Sequence, residues 1–273
     1  DASISKDRFD LKAIAYEFDP AYPAAGLVEV LSFDLDYGRE ADAYFGGASG
    51  FPKYWQPWYN NWNEFSTAGS GGATRVLDHA PIFMDLEFTE DGSMIIGLGD
   101  RIADQIGFDD PIPESGNPGL GRVFSSGDLL KACYVNGAFV MEGTSGSCTV
   151  NDLNTSVGPD PNLLTNTDGF SGNGEFFYDE FFRRNDTGHG HAEIALGGVS
   201  VLLGSQEVVS VVYDPDDFNT QGIERYSTTT GGFTGQLNIV PEPGPFGKAR
   251  GLGDVANFCD PPSIQVGNYV WLD

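Results

Sequence analysis

The sequence predicts an all-β protein, a β-propeller or part of one, made of short antiparallel sheets with long loops. Three observations lead there. Apolar and polar residues alternate over short runs rather than recurring at helical spacing. Glycine (37) and proline (16) interrupt those runs along the whole chain. Twenty Phe and 11 Tyr supply side chains suited to pleated surfaces and sheet-on-sheet packing. Strand pairs recur with connections of unequal length, the pattern of small sheets repeated radially. A two-sheet β-sandwich is the alternative, although sandwiches usually carry shorter loops.

The most informative stretch is Pro81 to Arg101, PIFMDLEFTEDGSMIIGLGDR. Met84, Asp85, Leu86, Glu87 and Phe88 alternate, Thr89 to Gly92 is turn-forming, and Ser93 to Leu98 runs back as a second strand. Before it, Leu11 to Phe18 and Leu27 to Leu35 read as strands joined through Asp19-Pro20 and Gly26. Asp36 to Asp78 reads as a long irregular segment holding seven aromatics between Phe51 and Phe65. After it, Gly107 to Asp128 reads as loop, and Leu129 to Glu142 as a hairpin around Asn136-Gly137. Gly143 to Gly174 is turn-rich, and Glu175 to Phe182 fits either a strand or a short helix. Val199 to Leu203 and Glu207 to Tyr213 form a hairpin across Gly204-Ser205. Gly222 to Thr228 pairs with Phe233 to Val240, and Ile264 to Leu272 is a last lone strand.

A chain of 273 residues is long enough for a core that needs no staples. Its 40 acidic against 14 basic residues give a net charge of −26, which makes nucleic acid and anionic lipid poor partners. Such a surface suits cation binding or strong hydration, and plain solubility in a salty or extracellular setting is the favoured reading. No run reaches the apolar length of a membrane span, and no signal peptide opens the chain. Asp1 is not a translation start, so the chain is expected to be processed or a piece of something longer. Of the three cysteines, Cys133 and Cys148 flank the Asn136-Gly137 hairpin. A disulfide between them points to an oxidising compartment, and two buried free thiols are the alternative. Cys259 is left over.

The motifs LKAIAYEFDP, DLEFTEDGSMIIGLGDR, LLKACYVNGAFV, GEFFYDEFF, HAEIALGGVSVLLGSQEVVSVVYDP, GIERYSTTTG and GKARGLGDVANFCDPPSIQVGNYVWLD occur in that order. Together they resemble the propeller region of large bacterial surface proteins with SdrD B-like (Cna-B-type) repeats. The resemblance implies residues 1–262 as a propeller-like domain, its C-terminal half, and residues 263–273 as the first strand of a following immunoglobulin-type repeat. It implies an exported, multidomain protein and no named enzymatic activity. Asp273 matches the start of the family's calcium loop, whose other ligands are absent, so that site does not carry over.

Candidate chemistry is sparse. Three carboxylates near the central hairpin, Asp85, Glu87 and Asp100, are hard oxygen donors of the kind Ca²⁺ requires, and form the candidate metal set. The plainer reading makes Asp100 and Arg101 an ion pair or a hairpin cap. His189, His191 and Glu193 alternate as strand-borne zinc ligands would, but no fourth ligand is visible. Nucleophile elbow, P-loop and dinucleotide fingerprints are missing. Trp55, Trp58 and Trp62 fit a carbohydrate-stacking platform, and fit equally the packing of a long loop onto its own domain. The expectation is a non-enzymatic extracellular or cell-surface protein, structural or adhesive. It would act through propeller loops or strand edges on copies of itself, on the rest of a longer protein, or on carbohydrate, and a strand exchanged between copies would build a filament. The alternative is a sugar-oxidising or lactone-cleaving propeller enzyme with a central metal.

Overall fold

A computed structural model of the chain describes residues 6–38, 54–70, 73–112, 119–123, 127–144, 146–150, 175–178, 193–213, 215, 220–240 and 252–258. The fold is all-β. Its strands are β1 (Lys12–Phe18), β2 (Leu27–Asp34), β3 (Thr67–Ser70), β4 (Ala73–Val76), β5 (Pro81–Phe88), β6 (Met94–Asp100), β7 (Phe108–Pro111) and β8 (Leu120–Arg122). They continue as β9 (Asp128–Val135), β10 (Ala138–Met141), β11 (Ala195–Leu202), β12 (Glu207–Tyr213), β13 (Gln221–Ser227) and β14 (Phe233–Val240). One short helix, α1 (Arg101–Ile106), follows β6.

Four sheets result: the pair β1-β2 and three four-stranded sheets, ordered β10-β9-β6-β5, β11-β12-β13-β14 and β3-β4-β8-β7. All pairings are antiparallel except β4 with β8. Three of these sheets pack face to face, the β1-β2 pair on the β10-β9-β6-β5 sheet and that sheet on the β11-β14 sheet.

Strand β6 is the middle of the stack, buried along its whole length. Because side chains alternate across a strand, Met94, Ile96 and Leu98 face one way and Ile95 the other. The first set packs with Leu130 and Ala132 of β9 against Ala13, Ala15, Leu31 and Phe33 of the β1-β2 pair. Ile95 and Leu129 pack instead against Ala195, Val199, Val208 and Tyr226, with Phe176 and Phe177. Each such Ile or Leu, wholly removed from water, stabilises the fold by roughly 1.5–3 kcal/mol. The far face of the β11-β14 sheet is covered by Leu252 and Val255. Asn257 ties that segment down, donating from its backbone N–H to Ser200 Oγ (3.1 Å) and from Nδ2 to Ser200 O (3.2 Å).

Glycine sets the closest approach of the two central sheets. A Cβ at Gly97 would lie 2.0 Å from the Gly197 carbonyl oxygen, and Gly197 itself has φ +94°. The pairing of β11 with β12 shifts register between Ala195 and Val199, which lets that backbone come in.

The turns follow their sequence signals. Asn136 (φ 52°) and Gly137 (φ 88°) make the left-handed two-residue connection of β9 to β10. Gly92 (φ 80°) closes the β5-β6 turn, where Asp91 Oδ1 accepts from the Ser93 N–H at 3.0 Å. Cys133 and Cys148 are joined by a disulfide with Cα atoms 5.5 Å apart. It fastens the loop beyond β10 back onto β9.

Three parts of the sequence reading need correction. The segment Asp36 to Asp78 is not wholly irregular, since β3 and β4 lie within it. The stretch Gly107 to Asp128 contains β7 and β8. Glu175 to Tyr178 is neither strand nor helix but a bend and turn. His189, His191, Cys259 and the strand expected over Ile264 to Leu272 lie outside the described residues, as do residues 263–273 altogether.

Candidate functional site

The three tryptophans of the long loop divide. Trp55 is wholly buried, its Nε1–H donating to Tyr37 Oη at 3.1 Å, and the Tyr37 hydroxyl in turn donates to Asp128 Oδ2. A buried indole tied into a hydrogen-bonded chain is a packing element, so Trp55 is removed from the candidate sugar platform. Trp58 and Trp62 are half-buried. With Phe65 they pack onto Val76, Ala80, Ile102, Ala103, Ile106 and Val123, a small core of their own.

Their remaining surface lines a cleft of about 390 Å³ shared with Tyr59, Asn60, Asn61, Phe65, Gln105 and Ile106. Phe65 is the hub. Trp58 and Tyr59 meet it edge-on at centroid distances of 5.7 and 5.2 Å, and Trp62 lies tilted at 6.0 Å. Such offset contacts stiffen the rings beyond their area burial. A 3-10 turn over Trp62–Glu64, capped by Asn61 Oδ1 accepting from the Asn63 N–H (3.1 Å), sets the direction of Trp62. The Arg101 guanidinium sits 3.9 Å over the Trp58 ring.

The other wall comes from α1, which the sequence reading missed. Its signals are local. Asp100 caps the N-terminus through Oδ1, accepting from the Ile102 N–H at 3.0 Å, and Gly107 (φ 65°) ends the helix. Ile102, Ala103 and Ile106 face inward, leaving Gln105 exposed at the cleft. Asp100 Oδ2 also accepts from His79 Nδ1 at 2.7 Å, and Oδ1 from the Ala80 N–H at 3.3 Å. This buried pair fixes the junction of β5, β6 and α1 on which the cleft rests.

The electrostatics of the cleft are unusual for so acidic a chain. Every residue lining it is neutral. Burial, with Asp78 and Glu64 nearby, pushes the Tyr59 phenol above its ordinary range, so it stays a neutral donor and acceptor.

The proposed metal set does not assemble. Asp85 pairs with Gly97 across β5 and β6, which puts Asp100 three residues further along β6, about 10 Å away at ~3.3 Å per residue. Asp100 is committed to His79 and the helix cap. Asp85 Oδ1 accepts from the Leu86 N–H (2.7 Å) and Oδ2 from the Val199 N–H (3.0 Å), bridging the two central sheets. Glu87 stays near Asp85, and the companion that sequence reading missed is Asp254, whose carboxyl lies close enough to Asp85 to influence it. Burial first, and the neighbouring carboxylates second, raise both Asp85 and Glu87 above the usual carboxylate range. Among the described residues no three His, Cys, Asp or Glu gather as a metal would need.

A second concavity, about 810 Å³, opens between the β1-β2 pair and the central sheet, with Tyr16, Val30, Leu86, Phe88, Tyr134 and Phe139 along its walls. Tyr16, Phe88 and Tyr134 each keep about half their surface in solvent there. No described helix is long and apolar enough to cross a membrane.

Comparison with known proteins gives long-chain relatives. Over 274 aligned residues, 97% of this chain, it is 27% identical to Colossin-A of Dictyostelium discoideum. Over 199 residues, 71% of the chain, it is 31% identical to Colossin-B of the same organism. The chain spans 2% of the length of Colossin-A and 5% of Colossin-B. No family model matches the chain. No solved structure matches it.

Proposed function

We propose that this chain is a structural or adhesive module of an exported, multidomain surface protein, meeting its partners through loops and strand edges. The observation that carries the reading is the alignment: nearly the whole chain corresponds to a small fraction of a far longer relative. A unit of this size within so long a chain is suited to spacing and presentation. Several features support it. The Cys133–Cys148 disulfide belongs to an oxidising compartment. The resemblance to surface proteins with SdrD B-like repeats implies export in the same way.

The interior chemistry agrees with a scaffold. Asp85, Asp100 and Glu142 all accept from backbone N–H groups and bridge separate elements, so their carboxyls serve the architecture. The exposed Leu237 and Ile239 of β14, at a sheet edge, offer a strand for addition by a neighbour.

The experiment is surface labelling of the full-length protein in intact source cells, with an antibody raised against this module. The expected outcome is labelling without permeabilisation, lost after brief protease treatment of the cells. Signal only after permeabilisation overturns the reading.

A further inference from the structure

We infer that the cleft between the Trp58–Phe65 loop and α1 is a binding site for a neutral glycan, an inference that rests on the adhesive reading above. Three features of the cleft point to that ligand class.

The first is shape and size. Three aromatic rings, Trp58, Tyr59 and Trp62, border one concavity of about 390 Å³, within the range of small-ligand sites and enough for one or two sugar rings. Each ring is braced from behind, by Phe65 or by the core under Val76 and Ile102, so each presents a fixed surface. The axial C–H face of a pyranose packs against such a surface with little loss of conformational freedom in the protein.

The second is the polar complement. Asn60 and Gln105 bring planar amides, each donor and acceptor at once, Asn61 adds its Nδ2 donor while its Oδ1 caps the turn, and Tyr59 adds a phenol. Sugar hydroxyls are also both donors and acceptors, and amides placed around an aromatic floor match them. Asn60 and Gln105 are exposed and stand on different elements, one on each side of the cleft.

The third is charge. The lining carries no ionisable acid or base except the neutral Tyr59 phenol, whereas the chain as a whole bears −26. Arg101 stacks over Trp58 but does not line the cleft. The lining offers no cation to pair with a sialylated, sulfated or phosphorylated ligand, and the strongly acidic chain as a whole disfavours one. An uncharged oligosaccharide meets neither obstacle.

The test is a glycan array with the intact chain, carrying neutral gluco-, manno- and galacto-oligosaccharides beside sialylated and sulfated ones. Calorimetry with the best neutral probe follows, at low and high salt. The expected result is millimolar or tighter binding to one neutral class, unchanged by salt. Trp62→Ala should weaken it about tenfold or more, as loss of a central aromatic anchor does. Gln105→Ala, an exposed change that leaves the core alone, should weaken it several-fold with an unchanged thermal midpoint, and Trp62→Phe should retain part of the binding. Absence of neutral binding, preference for anionic glycans, or full binding in both Gln105→Ala and Trp62→Ala overturns the inference. Surface labelling on cells is independent of all three results, so a failed glycan site leaves the surface-module reading standing.

Discussion

Glu142 offers the sharpest test of how this interior is held together. It follows β10 and is buried completely. Its Oε2 accepts from the Lys131 N–H at 2.6 Å and its Oε1 from the Phe176 N–H at 3.4 Å. The Lys131 ammonium turns elsewhere, to the Thr228 carbonyl at 2.8 Å and over the Phe176 ring at 4.1 Å. Burial is the main reason that the Glu142 carboxyl is pushed up to about 8, with the Asp128 charge adding to it. In the unfolded chain the same group titrates at 4.5. Between those values folding takes up a proton, so the group's contribution is whole below pH 4.5 and is lost as pH rises through about 8. At about 1.4 kcal/mol per pKa unit, the loss between pH 5 and pH 8 amounts to roughly 3–4 kcal/mol. Glu142→Gln removes the titration while keeping a carbonyl for the Lys131 N–H. Urea unfolding of both proteins at pH 5, 6, 7 and 8 measures the difference. The variant should lose relative stability at pH 5 and gain on the parent at every step upward. A difference that stays flat across this range refutes the reasoning, whatever its absolute size.

Three further outcomes follow from the same geometry. Gly97→Ala should destabilise by several kcal/mol, because the added carbon meets the Gly197 carbonyl at 2.0 Å and neither backbone can retreat; a thermal midpoint close to that of the parent would contradict the sheet stacking. Replacing Cys133 and Cys148 together by Ser should cost about 3 kcal/mol for a loop of this length, read as a lowered urea midpoint, and unreduced mass spectrometry of the parent should show the pair oxidised. Asp100→Ala removes the helix cap and the His79 contact at once and should cost roughly 3–5 kcal/mol. Asp100→Asn, which can still cap, should cost less in the same denaturation assay.

The sequence made the hairpins legible because their information is local. Asn136-Gly137 and Gly204-Ser205 sit between alternating runs, and the structure turns at both. The sheet β3-β4-β8-β7 was not legible, for a physical reason. Its strands are three or four residues long, too short to show alternation, and β4 pairs in parallel with β8 across an intervening hairpin and helix. That register is a tertiary result. Helix α1 was readable in principle from Asp100, the inward spacing of Ile102, Ala103 and Ile106, and Gly107, but six residues leave little room for periodicity. For the tryptophans, spacing placed Trp55, Trp58 and Trp62 together without saying which would be swallowed by the core. Asp254 could not have been paired with Asp85 from sequence at all, since chain separation carries no hint of their meeting.

A deeper regularity links the charge of the chain to its interior. Fourteen cations cannot neutralise 40 acids, so buried carboxyls here are satisfied in another way. Asp78 accepts from the Ser66 N–H, Asp85 from Leu86 and Val199, Asp100 from Ala80 and Ile102, and Glu142 from Lys131 and Phe176. Asp128 receives the Tyr37 hydroxyl. Most of these bonds run between different elements, so they sew loop to strand and sheet to sheet where aliphatic packing alone would fix neither register nor distance. Burial raises Asp78, Asp85, Glu87 and Glu142 together. The interior therefore draws part of its cohesion from carboxyls that accept backbone N–H bonds, and at Glu142 from one whose carboxyl is pushed up to about 8. Such contacts are shielded from ions in solution, and salt should weaken them far less than it weakens exposed pairs such as Lys12–Asp34. Alkali acts on Glu142 directly, by taking its proton away. The same acidic composition that keeps the outside hydrated thus makes the inside resistant to salt and sensitive to high pH.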